Sequence, residues 1–330
     1  MNFQSVLSLA PLRISFLGGG TDIPRFYTQH KGAVVSAAIN KYVYVHVKRH
    51  DVLFQEKYRI SYSDVEHTQE RGQIKNSIVR ACLEFLDMDE PLQISTSADL
   101  PANSGLGSSS SFAVALLHAL HVIRGEDVSQ VQLAEEACHV EIEILKSPIG
   151  KQDQYAAAFG GLNLFEFVEN GSVRIEPIFT PNVSSGRLFE HSILVWTGQT
   201  RSANSVLSDQ ALRSEINVSN LIDMKELAFK FKDQLLIPSL DWNHLGELIK
   251  SGWNLKKELS VKISNQEIQA ILTELENVSC SGYKLLGAGG GGFVFALVNN
   301  LDTLSKIESK SWSTIRPKLD QSGARIVSVI

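Results

Sequence analysis

The chain has 330 residues, about one large or two medium domains, and its 43% hydrophobic and 20% charged content suits a globular protein with a sizeable core. A net charge of −5 excludes the electrostatic footprint of a nucleic-acid or anionic-membrane binder, and no stretch approaches the ~20 apolar residues that span a bilayer. The first residues lack a basic signal-peptide region and Cys82, Cys138 and Cys280 lie far apart, so reduced core thiols and a cytoplasmic setting are expected.

In chain order, "LRISF", "AVVSAAI", "KYVYVHVK" and "YRISYS" alternate or run apolar and predict strands. "LQISTSAD" predicts another, followed by the loop "PANSGLGSSSS" and an apolar helix over 112–123 that Gly125 closes. Ser129 opens the next helix, with Gln132 as its capping-box partner, running to about Lys146 before Pro148 and Gly150. Turn residues crowd 170–190. The boundary is placed there, dividing the chain into 1–180 and 181–330. The second half opens with the strand "SILVWTG" and continues with helices over roughly 203–236, 242–251 and 265–277. Then "YKLLGAGGGGFVFALV" reads as two strands about a glycine turn, before a helix and the last strand "ARIVSVI". Sheet plus helices in each half gives the fold class α+β.

Serine and glycine are poor helix formers, so their crowding before a buried helix needs a reason. A helix N-terminus presents unpaired N–H groups and about half a positive charge. Glycine lets backbone approach a ligand, and serine hydroxyls add donors without bulk. Together they suit a phosphate. The structural alternative is a serine cap on a buried helix. The P-loop pattern G-x-x-x-x-G-K-[ST] is absent, and "GAGGGG" precedes a strand rather than the helix a dinucleotide fold requires.

Without a P-loop lysine, magnesium with oxygen ligands must neutralise most of a triphosphate's charge. Projection of the helix from Ser129 places Glu141 as the one charge inside an apolar arc of Leu133, Ala134, Ala137, Cys138, Val140, Ile144 and Leu145. A buried carboxylate costs several kcal/mol unless a partner meets it, either a cation or a buried Arg or Lys. In "SPIGKQDQYAAAFGG", Asp153 can accept a proton from an attacking hydroxyl while Lys151 stabilises charge. Taken alone, Asp153 also reads as a helix cap or surface acid.

"PANSGLGSSSS", "APLRISFLGGGTDIPRFY" and "KLLGAGGGGF" resemble, in order, the second, first and third signatures of the GHMP kinases, which act on galactose, homoserine, mevalonate and phosphomevalonate. The resemblance implies an ATP-dependent kinase of two α+β domains. The N-terminal one carries a mixed sheet with a left-handed βαβ unit, and the C-terminal one is ferredoxin-like. It further implies that Asn103, Ser104, Gly105, Leu106, Gly107, Ser108, Ser109 and Ser110 hold the ATP phosphates, and that Ser109 and Glu141 bind magnesium. Asp153 is implied as base, with Arg13 steadying charge. Gly19, Gly20, Thr21 and Asp22 would contact substrate, as would Gly289 and Gly290 of the third motif, which closes the site.

Gly19 and Gly20 stand where galactokinases have glutamate and histidine. "GGGTD", "SAAINKYVYV" and "GKQDQYAAAFGG" are most similar to the kinases of D-glycero-D-manno-heptose 7-phosphate and of L-fucose, and the compact length favours the former. That branch implies phosphorylation of the anomeric hydroxyl of a sugar phosphate to a 1,7-bisphosphate, for nucleotide-activated heptose. Arg201 is the first candidate for the 7-phosphate, with Lys41 and Arg25 behind it; a solvated arginine at a helix start is the alternative. Another small-alcohol kinase and a non-catalytic nucleotide-binding regulator stay open. The oligomeric state is also open, a homodimer being one option.

Overall fold

The 13-residue strand β1 (Ser5–Leu17) is buried along almost its whole length, and this fixes its place in the middle of a sheet with helices on both faces. The computed structural model describes residues 3–51, 53–181, 186–200 and 217–330. Strand β2 (Gly32–Arg49) is long enough to serve two neighbours: its first part pairs with β6 (Leu162–Phe167) and its second with β5 (Leu92–Ala98). β3 (Tyr58–Ser61) runs parallel to β5 and antiparallel to β4 (Val65–Thr68), and β7 (Val173–Pro177) closes the far side of β6.

Helices α1 (Pro24–His30) and α2 (Ser77–Phe85) precede the central α3 (Ser108–Ile123), which packs on β1 and β2. An apolar surface all round suits α3 to that enclosed position. It ends at Gly125, φ +81°, with Glu126 N–H bonded to His121 O at 3.0 Å. Helix α4 (Gln130–Cys138) begins on the Ser129 cap, whose Oγ accepts from Gln132 N–H at 3.2 Å. The Gln132 side chain donates to Glu136 at 2.8 Å instead of returning to the cap. The helix does not run regularly to Lys146 either. It widens into a π-helical turn, His139–Ile144, where Leu145 N–H reaches back to Val140 O. Such insertions are rare in helices and gather at functional sites. α5 (Gln152–Phe159) follows.

The second sheet contains β8 (Ser192–Trp196), β9 (Gly282–Leu285), β10 (Phe293–Leu297) and β11 (Thr314–Ile315), in the order β11-β8-β10-β9. Around it lie a short α6 (Arg187–Glu190), α7 (Val218–Leu236), α8 (Trp242–Glu258), α9 (Gln266–Asn277) and α10 (Leu301–Glu308). With helices between β8 and β9 and between β10 and β11, this is the ferredoxin-like βαββαβ arrangement expected. One division drawn from sequence needs correction. The last strand, β12 (Arg325–Val329), leaves the second unit and pairs antiparallel with β1, so 181–330 is not wholly C-terminal domain. Strand β1 would otherwise present its open ladder as a sheet edge.

Away from the cavity, His121 sits 2.7 Å from Glu126 and 2.6 Å from Glu136. Burial opposes its charge, but the two carboxylates prevail and its pKa is raised. The stabilisation is therefore fully present below the ordinary histidine value and fades as pH rises through the folded one. His121→Leu is expected to cost about 1–3 kcal/mol in urea melts at pH 5.5 and clearly less at pH 9. A deficit independent of pH would remove the charge from this account.

Candidate functional site

A cavity of about 470 Å³ opens between the two units, within the usual range for a small-molecule site. One wall is the loop before α3. Gly107 is the N-cap, left-handed at φ +78°, and no side chain caps the helix. The serine-cap alternative therefore does not hold: the first helical N–H groups stay available to a ligand. Ser108, Ser109 and Ser110 line the cavity with Asn103, Gly105 and Gly107. Ser104 and Leu106 turn away and are fully buried, their carbonyls accepting from Phe293 N–H and Arg13 N–H.

The second unit meets this loop backbone to backbone. A Cβ on Gly287 would lie 2.4 Å from Gly105 Cα, and one on Gly105 would lie 2.7 Å from Leu286 O. The residues of the β9–β10 turn that reach the cavity are Gly287 and Ala288. Gly289 and Gly290, expected to contact substrate, instead seat the turn on Ile263, with Gly290 N–H donating to Ile263 O at 2.8 Å.

Arg13 leaves β1 and grips Asp153, in the first turn of α5, through both carboxylate oxygens at 2.7 and 2.8 Å. Its remaining arm donates to Gly105 O at 2.6 Å, which locks the acid to the loop. This bidentate geometry holds the carboxylate facing the cavity. Lys151, expected beside the acid, is not on the cavity: its ammonium donates to Gly171 O at 2.6 Å and lies over the Tyr27 ring. Residues two apart at a helix start do not share a face.

Glu141, at the π-helical turn, is 2% exposed. Ser109 Oγ–H donates to Oε1 at 2.6 Å and Gln154 Nε2 to Oε2 at 2.7 Å. Burial raises its pKa while these donors oppose the rise. Among the described residues no Arg or Lys meets it, so the ion-pair alternative is not realised. One carboxylate beside a hydroxyl suits a magnesium ion, which draws its other ligands from phosphates and water. Among the described residues no group of three or more His, Cys, Asp or Glu is arranged to hold a metal ion by protein ligands alone.

Across the cavity, Asp22 accepts from Gly20 N–H at 2.9 Å and Gln152 N–H at 3.2 Å. Burial and the neighbouring Asp153 charge raise its pKa. A Cβ on Gly150 would lie 2.0 Å from its carboxylate, so glycine there admits the acid. Gly19 and Gly20 also line this end. Thr21 does not: it is fully buried and ties the loop together through Gly18 and Ala33. Lys41 and Arg25 lie off the cavity, and Arg201 falls outside the described residues.

Two lysines on the cavity wall escaped the sequence reading. Lys284 of β9 donates to Ser15 O at 2.9 Å and Phe16 O at 2.6 Å, while Lys256 of α8 donates to Gly287 O. Both left a trace. Lys284 interrupts an apolar strand, and Lys256 continues the buried spacing Leu245, Leu248, Ile249, Gly252 and Trp253. Gln154 and the unpartnered, buried Ser15 hydroxyl carried no such signal.

A ferredoxin-like unit closed on a serine-glycine helix start, with an arginine-held acid beside it, defines a small-molecule kinase that works without a P-loop. Residues 76–161 match the GHMP kinases N terminal domain and 235–310 the GHMP kinases C terminal domain. The chain is 30% identical over 308 residues to D-glycero-alpha-D-manno-heptose 7-phosphate kinase of Campylobacter jejuni, covering 90% of each. It is 26% identical to the bifunctional fucokinase/GDP-fucose pyrophosphorylase of Arabidopsis thaliana, over 91% of this chain and 30% of that one. A crystal structure of a D-glycero-D-manno-heptose 1-phosphate kinase from Bacteroides thetaiotaomicron superposes with a TM-score of 0.79 at 21% identity, covering 98% of this chain and 99% of that one. The chain belongs to the GHMP kinase family and is an ATP-dependent kinase. Among the described residues no helix is long and apolar enough to cross a membrane.

Proposed function

We propose that the protein transfers the γ-phosphoryl of ATP to the anomeric hydroxyl of D-glycero-D-manno-heptose 7-phosphate, giving the 1,7-bisphosphate that precedes nucleotide activation. The observation that carries the reading is the Arg13–Asp153 pair, tied by its third arm to a phosphate-type loop. The 30% identity to a heptose 7-phosphate kinase over nearly its full length supports the choice of acceptor, as does the room that Gly19 and Gly20 leave beside Asp22.

In this mechanism the N–H groups at the start of α3 and the Ser108 and Ser110 hydroxyls hold the phosphates. Ser109 and Glu141 would hold magnesium, which when bound neutralises triphosphate charge. Asp22 accepts from sugar hydroxyls, being acceptor-only when ionised. Asp153 takes the proton of the anomeric hydroxyl as that oxygen bonds to Pγ. The bond from Pγ to the bridging oxygen breaks, its electron pair leaving on ADP. The transition state is loose, so placement and charge stabilisation outweigh base strength.

The test is ADP release with heptose 7-phosphate, L-fucose, galactose and mevalonate. kcat/KM for the heptose phosphate is expected to exceed the others by about 10²-fold or more, since a site built for polar groups rejects acceptors that leave them unpaired. An equal or higher value with L-fucose would replace the acceptor. Absence of turnover with all four would favour the regulator.

A further inference from the structure

Three cationic side chains line the described cavity: Arg13, Lys256 and Lys284. Arg13 is committed to Asp153 and Gly105 O. Lys284 spends two of its three N–H donors on the carbonyls of Ser15 and Phe16, which makes it a strut between β9 and the end of β1. Lys256 differs. Among the described residues its ammonium has one hydrogen-bond acceptor, Gly287 O, leaving two N–H donors for a ligand.

The place where Lys256 is anchored decides what that ligand is. Gly287 packs directly on Gly105 of the phosphate-type loop, and Gly105 O receives Arg13, which holds Asp153. Lys256 therefore stands at the seam where loop, acid and glycine turn converge. The charged groups facing it are Arg13 of β1, Asp22 of the loop before α1, Asp153 of α5 and Lys284 of β9. Two acids and two other cations do not leave it a private counter-ion, because Asp153 is already the bidentate partner of Arg13. An ammonium in such a position is stabilised by an anion arriving with substrate. The loop itself, from Asn103 to Ser110, has no lysine to do what a P-loop lysine does.

We propose that Lys256, delivered from the C-terminal unit, is the catalytic cation that contacts the transferring γ-phosphoryl group and stabilises its equatorial oxygens during transfer. This rests on the ATP-kinase reading of the site but not on the identity of the sugar. The two units must then be closed on each other for the charge to be in place, since Lys256 reaches the loop only across the Gly287–Gly105 contact. Burial draws the Lys256 pKa down to about 8, with Arg13 acting in the same direction and Asp22 and Asp153 against it. The protonated form is the one that works, so kcat/KM falls as pH rises through about 8.

Calorimetry with ATP and with ADP tests the contact without any acceptor. Lys256→Met is expected to weaken ATP about 10-fold while leaving ADP unchanged, and Lys256→Arg to retain most of the preference. With a turned-over acceptor, Lys256→Met lowers kcat about 10²- to 10³-fold, equally for phosphorylated and unphosphorylated sugars. Lys256→Arg recovers part of the rate and loses the basic limb near pH 8. Unchanged melting temperatures for both variants exclude a folding defect. Equal loss of ATP and ADP affinity overturns the proposal, as does a defect confined to KM for phosphorylated acceptors, which would make Lys256 a reader of the sugar phosphate. If the wild type binds ATP but turns over no sugar, the acceptor reading fails while the ATP-against-ADP comparison still decides Lys256.

Discussion

Asp153→Asn is expected to lower kcat by about 10²- to 10⁴-fold, with the KM for ATP within about threefold of wild type. The carboxylate faces the cavity because Arg13 fixes both its oxygens, and Arg13 is itself fixed by Gly105 O and by its backbone bond to Leu106 O. Asparagine keeps the size and one acceptor oxygen, so the loop stays in place. What is lost is the proton acceptor, together with the charge that keeps Arg13 oriented. Because the transition state is loose, part of the loss comes from misplacing the hydroxyl and not only from removing the base. The comparison that separates these is Arg13→Met. There the acid is kept but unheld, so kcat falls and the solvent isotope effect on the remaining rate differs from that of Asp153→Asn. An Asp153→Asn enzyme at wild-type speed would remove Asp153 from the chemistry.

What could be read from sequence follows from how local each signal is. The phosphate-type loop is a contiguous run, so its glycines and serines point to a helix start free of a side-chain cap, and Gly107 is such an N-cap. The inward position of Glu141 was visible in helical period, although the π-helical turn that delivers it was not. Contacts across many residues left no trace in the residues themselves. Arg13 and Asp153 are 140 positions apart, and only the family resemblance brings them together at the level of sequence. Lys151 is near Asp153 in sequence, but helical geometry turns it to Gly171. Gly289 and Gly290 followed from the motif as a block, whereas only part of the turn meets the cavity and the rest braces it on Ile263. The return of β12 to the first sheet is likewise a long-range pairing that an apolar terminal strand cannot advertise.

The seam between Gly105 and Gly287 gives the divided chain a physical reason for its three motifs. The first contributes Arg13 and Asp22, the second the loop, and the third a turn with backbone close enough to exclude any side chain. Lys284 reinforces the joint by donating to the carbonyls of Ser15 and Phe16, inside the first motif. Distant segments are thus held in register by main-chain atoms. This explains why glycine recurs in a region that contributes little chemistry of its own.

Glu141→Gln is expected to weaken magnesium-dependent ATP binding on the order of 10²-fold while leaving the unliganded protein at least as stable as wild type. The two parts have one cause. A carboxylate buried to 2% exposure, with neutral hydroxyls and an amide but no cation for company, carries a desolvation cost that a neutral amide avoids. The amide can be accommodated, because Gln154 Oε1 is buried without a partner and a turn of the Gln154 amide would present it to the new N–H₂ group. A carboxylate retained at a net cost to stability is intelligible if a divalent cation arrives with the nucleotide and draws its remaining ligands from phosphate and water. Melting curves check this directly: magnesium and ATP together raise the wild-type midpoint by more than ATP alone, and Glu141→Gln abolishes that increment. If the variant shows the full increment, Glu141 is no metal ligand. If it melts lower than wild type without ligand, the carboxylate is there for the fold, and Ser109 and Gln154 are its structural partners.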